Sequence, residues 1–338
     1  MQTRAHDHTI ASPRRRIWLG VGVVGIAALF VARALTTELD LGLPNALQDL
    51  LTLAISVIIE SLPFVVLGIV LSIVVQVWLP DRWIARVIPR NPVLRRFVIS
   101  LLGVFLPVCE CGNVPLARGL MVRGFTVSDS MAFLLAAPII NPITIITTYQ
   151  AFGWGDGILI GRIAGGLLIA NLVGWLFSRH PAPASLLTSR FAAECALPDD
   201  HEHAVTRTQK SLQLFTREAG VIMPALFIGS LVAGGIQVLV PREVLVTLGS
   251  DPIWSILALM LLAFVVSVCS NVDAFFILPF ASTFLPGSIV AFLVFGPVID
   301  IKMLSLMRTT YRAKTLLLLT VVVALVAMLV GLVVNLLA

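Results

Sequence analysis

The chain has 338 residues, of which 58% are hydrophobic and 12% charged, and its mean hydropathy is +1.01. These values exclude a soluble globular protein. Apolar stretches long enough to cross about 30 Å of hydrocarbon recur from Ile17 to the C-terminus, so the sequence predicts an integral protein of the lipid bilayer. The net charge of +5 comes from arginines at the ends of apolar segments, a pattern typical of membrane topology and not of nucleic-acid binding.

Apolar runs and helix-breaking residues together predict an all-α, polytopic membrane protein with about eight to ten transmembrane helices. The working count is nine spans, at residues 17–35, 50–79, 97–118, 127–149, 158–177, 215–240, 254–280, 287–307 and 315–337. The basic cluster Arg14–Arg16 precedes the first span, and no small-residue cleavage site follows it. This pattern favours an extra anchor helix over a removed signal peptide.

Charged residues between the spans predict the orientation of the chain. Loop 81–96 carries five arginines and one aspartate, whereas residues 36–49 carry three acidic residues and no base. By the positive-inside tendency, the N-terminus and loop 81–96 are cytoplasmic in a multi-pass protein of the cell inner (plasma) membrane. Nine full spans leave Arg118 and Arg123 on the outer side, where we expect them to snorkel to the interface. A broken or re-entrant segment near residues 107–126 removes this conflict.

Residues 178–214 differ in composition from the rest of the chain, since they are rich in proline, alanine and charges of both signs. We interpret them as a linker outside the bilayer. The triplet HEH at 201–203, together with Asp199 and Asp200, offers ligands for a divalent metal. A hydrated polar loop is the commoner meaning of such a run, so we expect no metal there and no resident metal or cofactor elsewhere.

An internal repeat is the strongest sign of the architecture. Residues 63–80 align without a gap with residues 224–241, and Cys109 aligns with Cys269. We therefore predict an N-terminal tail and extra anchor helix at 1–49, membrane repeat 1 at 50–177, a polar linker at 178–214 and membrane repeat 2 at 215–338. Repeats joined in this way are a common plan of secondary transporters. Four full spans between equivalent points make the repeats parallel, whereas a re-entrant cysteine segment allows them to be inverted.

The motif PVCECGNVP, residues 107–115, interrupts an apolar segment. Its prolines and glycine weaken a helix, so the motif predicts a discontinuous helix. Non-helical backbone at membrane depth is tolerated only where it is buried in protein or lines a wet cavity. A carboxylate such as Glu110 costs about 2.5 kcal/mol or more at the bilayer centre, so we expect it to serve a pathway or a proton relay.

Three further segments repeat this pattern: SVCSNVDAF at 267–275, PIINP at 138–142 and GPVIDIK at 296–302. Half-helix ends at such breaks can bind ions or polar groups, and we expect PVCECGNVP and SVCSNVDAF to line one cavity near the membrane centre. The candidate substrate and translocation residues are Cys109, Glu110, Cys111, Asn113, Asn141, Cys269, Asn271, Asp273 and Asp300. Two alternatives stay open, because a membrane cysteine is usually a small hydrophobe and Asp300 can simply pair with Lys302 near a membrane face.

The segments PVCECGNVPLARGL, AFLLAAPIINP, SVCSNVDAF and AFLVFGPVIDIK resemble the signature segments of the predicted permeases grouped with YraQ and with the ArsP-type organoarsenical efflux permeases. The resemblance covers residues from about 50 to 310. It implies a multi-pass inner-membrane permease and, for the arsenical branch, export of trivalent methylated or aromatic arsenicals. Asn271 departs from the pattern, since many relatives carry an acidic residue at that position.

Together these features predict a permease that is not an enzyme. It is expected to be a secondary transporter that exports a small thiophilic solute, a trivalent organoarsenical or a soft metal species, through a cysteine-lined cavity. The alternative is a transmembrane thiol-disulfide oxidoreductase using Cys109 and Cys269, although the adjacent Glu110 disfavours the thiolate that such an enzyme needs. No GxxxxGK[ST] motif is present, so ATP coupling requires an accessory permease subunit. The sequence allows a homo-oligomer but does not specify one.

Overall fold

The computed structural model describes residues 45–80, 89–105, 108–196, 206–239 and 252–337. The anchor helix predicted at 17–35, Pro107 and the HEH triplet lie outside the described residues. Regular structure within the described residues is helical, apart from one isolated bridge between Leu187 and Tyr311. The all-α prediction is therefore confirmed.

Thirteen α-helices occupy the described residues. Those before residue 200 are α1 (Asn45–Ile73), α2 (Pro92–Ser100), α3 (Glu110–Val122), α4 (Val127–Ala136), α5 (Pro142–Phe152), α6 (Ile158–Ser178) and α7 (Ser189–Ala196). Those after it are α8 (Arg207–Leu239), α9 (Pro252–Val266), α10 (Asp273–Ile277), α11 (Pro286–Phe295), α12 (Ile301–Met307) and α13 (Ala313–Leu337). A π-helix, Val74–Trp78, continues α1.

Four of these helices, α1, α6, α8 and α13, are long and apolar enough to cross a membrane. A polytopic membrane protein is thus confirmed. Helices α1 and α8 run antiparallel, because Trp78 donates to Ser211 at 3.3 Å while Gly234 lies against the backbone of Leu50 and Ala54. These two contacts fix which ends of the long helices meet.

One end of the helix bundle is rich in basic residues, and we call it the basic end. The contacts that define it join Arg123 to Val75 at 3.0 Å, Arg95 to Asp129 at 2.8 Å, Arg96 to Gly174 at 3.3 Å and Thr188 to Thr310 at 2.9 Å. The end of α1, the starts of α2 and α4, and the ends of α3 and α6 therefore lie together there, beside the linker and the loop before α13.

The opposite end is defined by contacts in the second half of the chain. The Gly287 backbone N–H donates to Asn335 Oδ1 at 2.7 Å, and the hydroxyls of Ser255 and Ser288 are 2.7 Å apart. A surface cavity at this end is lined jointly by residues 155–157, Pro286 and the last turns of α13. Helices α9 and α11 therefore both begin at the opposite end.

Two segments of the working span count turn back instead of crossing. Helix α2 enters from the basic end and α3 returns to it, so residues 97–118 form part of a re-entrant hairpin. Helix α9 enters from the opposite end, and the chain returns through α10 to the start of α11, so residues 254–280 form a second one. Helix α2 ends at Ser100 and α3 begins at Glu110, whereas α9 ends at Val266 and α10 begins at Asp273. The predicted broken or re-entrant helices are therefore present, and the conflict over Arg118 and Arg123 is removed.

Two crossings consist of paired shorter helices. Helices α4 and α5 cross from the basic end with a break at 137–141, and α11 and α12 cross from the opposite end with a break at 296–300. Asn141 caps α5 by accepting from the Ile143 N–H, and Asp300 caps α12 by accepting from the Met303 N–H. The side-chain caps restart each helix because they satisfy backbone donors that the break leaves free.

The order of elements is the same on both sides of α7, but the directions are reversed. A long helix, a re-entrant hairpin, a broken crossing and a second long helix follow one another as α1–α6 and again as α8–α13. Helix α1 ends at the basic end, whereas α8 begins there. Two halves related by duplication would therefore be inverted and not parallel.

Candidate functional site

The two hairpin tips meet midway between the ends of the bundle. Helix α3 is held against α1 by a close backbone approach, since a Cβ built on Gly68 would lie 2.1 Å from the Gly112 carbonyl oxygen. This contact places Cys109, Glu110 and Cys111 beside α1. At the other tip, Ser267 adopts a φ of 51°, in the left-handed region that residues with a side chain seldom occupy. Strained backbone of this kind tends to occur at functional sites.

Glu110 is the centre of the polar contacts between the tips. Its side chain is fully buried, and its Oε1 accepts from Lys302 Nζ at 3.1 Å. Its Oε2 accepts from Ser270 through both the hydroxyl, at 2.9 Å, and the backbone N–H, at 3.3 Å. Because both oxygens have donors, the ionised carboxylate is stabilised in a place where an isolated charge would be very costly.

Three thiols surround this carboxylate. Cys109, Cys111 and Cys269 are buried and free, and the Cys109 thiol is in hydrogen-bonding contact with the other two. The Cys269 thiol also lies 3.8 Å from Glu110 Oε2. We call Cys109, Glu110, Cys111, Cys269, Ser270 and Lys302 the central cluster. One ligand atom each from Cys109, Glu110 and Cys269 lies within 4.8 Å of the others, close enough to share one ion.

Asp273 forms a second buried ion pair next to the central cluster. Arg162 of α6 donates to both of its carboxylate oxygens, at 2.8 and 2.6 Å, and also to Thr148 at 2.8 Å. A weaker contact of 3.4 Å joins Arg162 to the Ser270 carbonyl. The bidentate pair therefore ties the short helix α10 to α6 and adjoins the residue that binds Glu110.

Asn113 and Asn141 converge on a single backbone group. Both side-chain amides donate to the Val108 carbonyl, at 3.5 and 3.1 Å. Val108 lies in the break before α3, where the helix cannot supply a donor for its carbonyl. The two asparagines thus hold the first hairpin tip against the broken crossing α4–α5. Among the described residues, the buried Asn113 Oδ1 has no hydrogen-bond donor.

Asn271 and Asp300 lie at the margin of the central cluster. The Thr144 hydroxyl lies 3.5 Å from Asn271 Oδ1, and Asn271 is half-buried. Asp300 is fully buried; one oxygen caps α12 and the other has no donor among the described residues. The ion pair of Lys302 is formed with Glu110 across the two halves, not with Asp300 as the alternative interpretation proposed.

Two polar residues beside the site were missed by the sequence interpretation. Arg162 stands alone as a charge within the apolar segment Ile158–Ser178, and a lone intramembrane arginine is itself a signal for a buried partner. Glu60 lies near the middle of α1, within hydrogen-bonding reach of the Cys269 thiol and in electrostatic contact with Lys302 and Glu110. The cost of a charge inside the bilayer, which identified Glu110 as a candidate, applies equally to Glu60 and to Arg162 and would have identified both.

Arg118 lies in a separate buried cluster at the basic end, and the expectation that it snorkels is wrong, because its side chain is only 2% exposed. It donates to Glu218 at 2.9 Å and to Thr310 at 3.3 Å, pairs with Glu194 at 3.5 Å and lies 4.1 Å from the centre of the Phe191 ring. We call these five residues the basic-end cluster. It joins α3, α7, α8 and the loop before α13.

The linker cysteine borders the basic-end cluster. Burial raises the pKa of the Cys195 thiol to about 11, and the neighbouring Glu194 carboxylate acts in the same direction. A thiol with so high a pKa is mostly protonated at neutral pH and is a poor nucleophile. Cys195 thus has no share in the chemistry that the central cluster permits.

The central cluster combines soft sulfur donors with hard oxygen donors and one ammonium. Thiolates suit soft metals and trivalent arsenic, whereas carboxylates suit harder cations and protons. The breaks around the cluster leave backbone groups at membrane depth, which is compatible with buried protein or a water-filled path. Binding and release of a small thiophilic solute is the chemistry that this donor set performs best.

Comparison with known proteins identifies a family to which the sequence is similar. The family described as predicted permease, ArsP_1, matches residues 46–336 of the chain. The Bacillus subtilis (strain 168) UPF0718 protein YcgR is 35% identical over 290 residues, which cover 83% of this chain and 96% of the relative. The UPF0718 protein YraQ of Escherichia coli (strain K12) is 30% identical over 118 residues, or 34% of this chain and 32% of that protein.

A further relative comes from Streptococcus mutans, and its name describes a subunit of a two-component membrane permease complex. It is 33% identical over 280 residues, which cover 81% of this chain and 91% of the relative. No solved structure matches the chain. The match to the family and the two long matches to relatives agree with the permease features seen in the sequence.

Proposed function

Because the chain belongs to the predicted permease family and is a multi-pass membrane permease, we propose that it is a secondary transporter of the inner (plasma) membrane. Its cargo is a small thiophilic solute, a trivalent organoarsenical or a soft metal species, and the direction is export. The observation that carries the proposal is the group of three free, buried thiols around Glu110 where the two hairpin tips meet.

The reversed order of elements supports a transport cycle. We propose that residues 50–177 and 215–338 are inverted repeats joined by the polar linker 178–214, with residues 1–49 as an added N-terminal part. In transporters built this way, one repeat moves against the other around a fixed site near the bilayer midplane. The two re-entrant hairpins, which enter from opposite ends and meet at the central cluster, match this requirement.

The distribution of basic residues supports one orientation of the helix bundle in the membrane. We propose that the basic end faces the cytoplasm, since the residues there include Arg95, Arg96, Arg308 and Arg312. A single further crossing at residues 17–35 would then place the N-terminus on the same side, in agreement with the positive-inside tendency.

Glu110 is proposed as the proton-exchanging group, because its carboxylate is fully buried and contacts both the Cys269 thiol and the Lys302 ammonium. Both oxygens of Asp273 bind Arg162, so its proposed role is to position α10. The Streptococcus mutans relative's name suggests a second subunit, and we propose that an accessory permease subunit can assemble with this chain as well.

Uptake into everted membrane vesicles tests the proposal. Vesicles with the wild-type protein should accumulate at least one of trivalent methylarsenical, arsenite, Cd²⁺ or Cu⁺ in the presence of a proton gradient. Cys109→Ser and Cys269→Ser should reduce uptake to the level of vesicles without the protein. Cys195→Ser is the matched control, because this linker thiol lies outside the site, and it should transport as the wild type does. Unchanged uptake in the Cys109 and Cys269 variants would refute the thiol site.

A further inference from the structure

Glu60 reaches the surface of the helix bundle, unlike the buried thiols, carboxylate and ammonium beside it. It lies near the middle of the span Leu47–Trp78, and its side chain is exposed, whereas Glu110, Cys109, Cys269 and Lys302 are at most 4% exposed. A carboxylate at this depth on an apolar helix is costly and marks a functional position. The function is indicated by its neighbour, because Glu60 lies within hydrogen-bonding reach of the Cys269 thiol.

The donor atoms around Cys269 form an incomplete shell. Cys109, Glu110 and Cys269 each offer one atom within a 4.8 Å group, and all three are buried. Glu60 lies within hydrogen-bonding reach of Cys269 and, because its side chain is exposed, has the freedom to move that the other three lack. Two sulfurs and two carboxylate oxygens are a ligand set that zinc-like cations accept in tetrahedral geometry.

We propose that Cys109, Cys269, Glu110 and Glu60 bind a divalent thiophilic cation of the Zn²⁺ and Cd²⁺ class as cargo, with Glu60 as the mobile fourth ligand. This inference rests on the proposed function and narrows its substrate class. A neutral trivalent organoarsenical needs two or three thiols and gains nothing from two carboxylates. A divalent cation of this class takes four ligands, and the two carboxylates complete the tetrahedral shell that two thiolates leave unfilled.

Lys302 has a defined part in this scheme. In the structure its ammonium lies 3.1 Å from Glu110 Oε1, so it supplies the positive charge that Glu110 requires when no cation is bound. On binding, two thiols each release one proton to water and form one sulfur–metal bond, while the carboxylates donate electron pairs without losing protons. Two positive charges enter and two leave, so loading leaves the charge of the site unchanged.

Cd²⁺ binding to the purified full chain in detergent tests the inference, because Cd²⁺–thiolate bonds absorb in the ultraviolet. We expect one Cd²⁺ per chain, with an absorbance typical of two Cd–S bonds and about two protons released. Cys109→Ser and Cys269→Ser should each remove one Cd–S bond, whereas Cys111→Ser should leave both. Absorbance from three thiols, or an unchanged spectrum in the Cys269 variant, would overturn the ligand set.

Glu60→Gln tests the mobile ligand and retains the shape of the side chain. We expect Cd²⁺ to bind about 10- to 100-fold more weakly, a loss at least as large as that for an altered outer-shell partner. Asp49→Asn is the control, because Asp49 is an exposed acid on the same helix. Glu60→Asp is the second variant, and circular dichroism identifies any that fail to fold. Equal affinity in folded Glu60→Gln and wild type would remove Glu60 from the site.

The two proposals fail differently. Vesicles that transport a methylarsenical while the purified protein binds no Cd²⁺ would refute the divalent-cation inference and leave the transporter proposal intact. Vesicles that transport none of the tested solutes would refute the transporter proposal, whatever the purified protein binds.

Discussion

The two re-entrant hairpins both break at an aligned cysteine but carry different side chains beside it. Cys109 and Cys269 occupy aligned positions in their breaks, yet the next residues are Glu110 in the first hairpin and Ser270 in the second. These unlike residues bind each other, since Ser270 donates twice to Glu110. The two hairpins meet because each is broken at the aligned cysteine. They bind each other because the next residue is an acceptor, Glu110, in one hairpin and a donor, Ser270, in the other.

The hairpins also differ in how they are anchored. Helix α3 has 13 residues, packs on α1 through Gly68 and Gly112, and reaches the basic-end cluster through Arg118. Helix α10 has only five residues and is tied to α6 by Arg162 and Asp273. Helix α3 is therefore held along its length, whereas the one buried ion pair of α10 lies at its first residue, Asp273.

The largest effect is expected for Glu110→Gln, which leaves the buried Lys302 ammonium without its carboxylate. Removing one partner of a buried pair costs about 3–5 kcal/mol, and we expect a loss of that size in the free energy of unfolding. Denaturant unfolding of the purified protein in detergent measures it. Ser270→Ala, the change at the aligned position, removes the hydroxyl's hydrogen bond to a charged group but keeps that of the backbone N–H, and it should cost about 1.5–3 kcal/mol.

A double variant separates the ion pair from general disruption. Glu110→Gln combined with Lys302→Met removes both charges, so it should be more stable than Glu110→Gln alone. If the double variant is as unstable as the sum of the two single variants, the pair contributes no coupling and the complementarity of the two hairpins is not electrostatic.

Asp273→Asn is expected to have the next largest effect, because it removes the charge that neutralises Arg162. The loss should be about 3 kcal/mol, at the low end for a broken buried pair, since Thr148 and the Ser270 carbonyl still accept from the guanidinium. Asn113→Ala is the matched change at the aligned position of the first hairpin. It should cost about 1 kcal/mol, because one long hydrogen bond to Val108 is lost. Equal losses would contradict the difference in anchoring.

The breaks were predictable from sequence, whereas the pairings were not. Pro138, Gly112 and the aligned cysteines are local signals, because each weakens a helix wherever it stands. The partner of Lys302 is Glu110, 192 residues away, and that of Asp273 is Arg162, 111 residues away. A single sequence shows which residues are charged but not how far apart they lie in the fold. Asp300, two residues from Lys302 in the sequence, was therefore an equally good candidate partner.

The re-entrant paths were only partly predictable for a related reason. A helix that turns back and one that crosses have the same composition, and only the contacts of their ends distinguish them. The basic residues Arg118 and Arg123 carried the signal, because a full span would leave them on the wrong side. The burial of Arg118 was not predictable, since its partners Glu194 and Glu218 lie in segments that the sequence places after the first repeat.

Gly68→Ala and Gly229→Ala compare aligned positions of the long helices α1 and α8. A Cβ on Gly68 would lie 2.1 Å from the Gly112 carbonyl oxygen, whereas one on Gly229 would lie 2.7 Å from Ser305 Cβ. Backbone yields less than a side chain, so we expect Gly68→Ala to cost about 2–3 kcal/mol and Gly229→Ala about 1 kcal/mol, within the usual range for overpacking. Unfolding in detergent measures both, and the reverse order would show that α8 and not α1 is the tighter contact.

The smallest effect concerns Cys195 and compares the linker with the central cluster. Burial and Glu194 raise its pKa to about 11, so the thiolate fraction at pH 8 is low and rises only as the pH approaches that value. Alkylation by iodoacetamide, followed by mass spectrometry of the Cys195 peptide, should therefore reach half its maximal rate near pH 11 in the folded protein. The denatured chain is the control, and its rate should reach half-maximum near the ordinary thiol pKa of about 8.5. Coincident profiles would show that α7 does not bury Cys195 in the folded protein. The neighbouring basic-end cluster would then be open to solvent on that side.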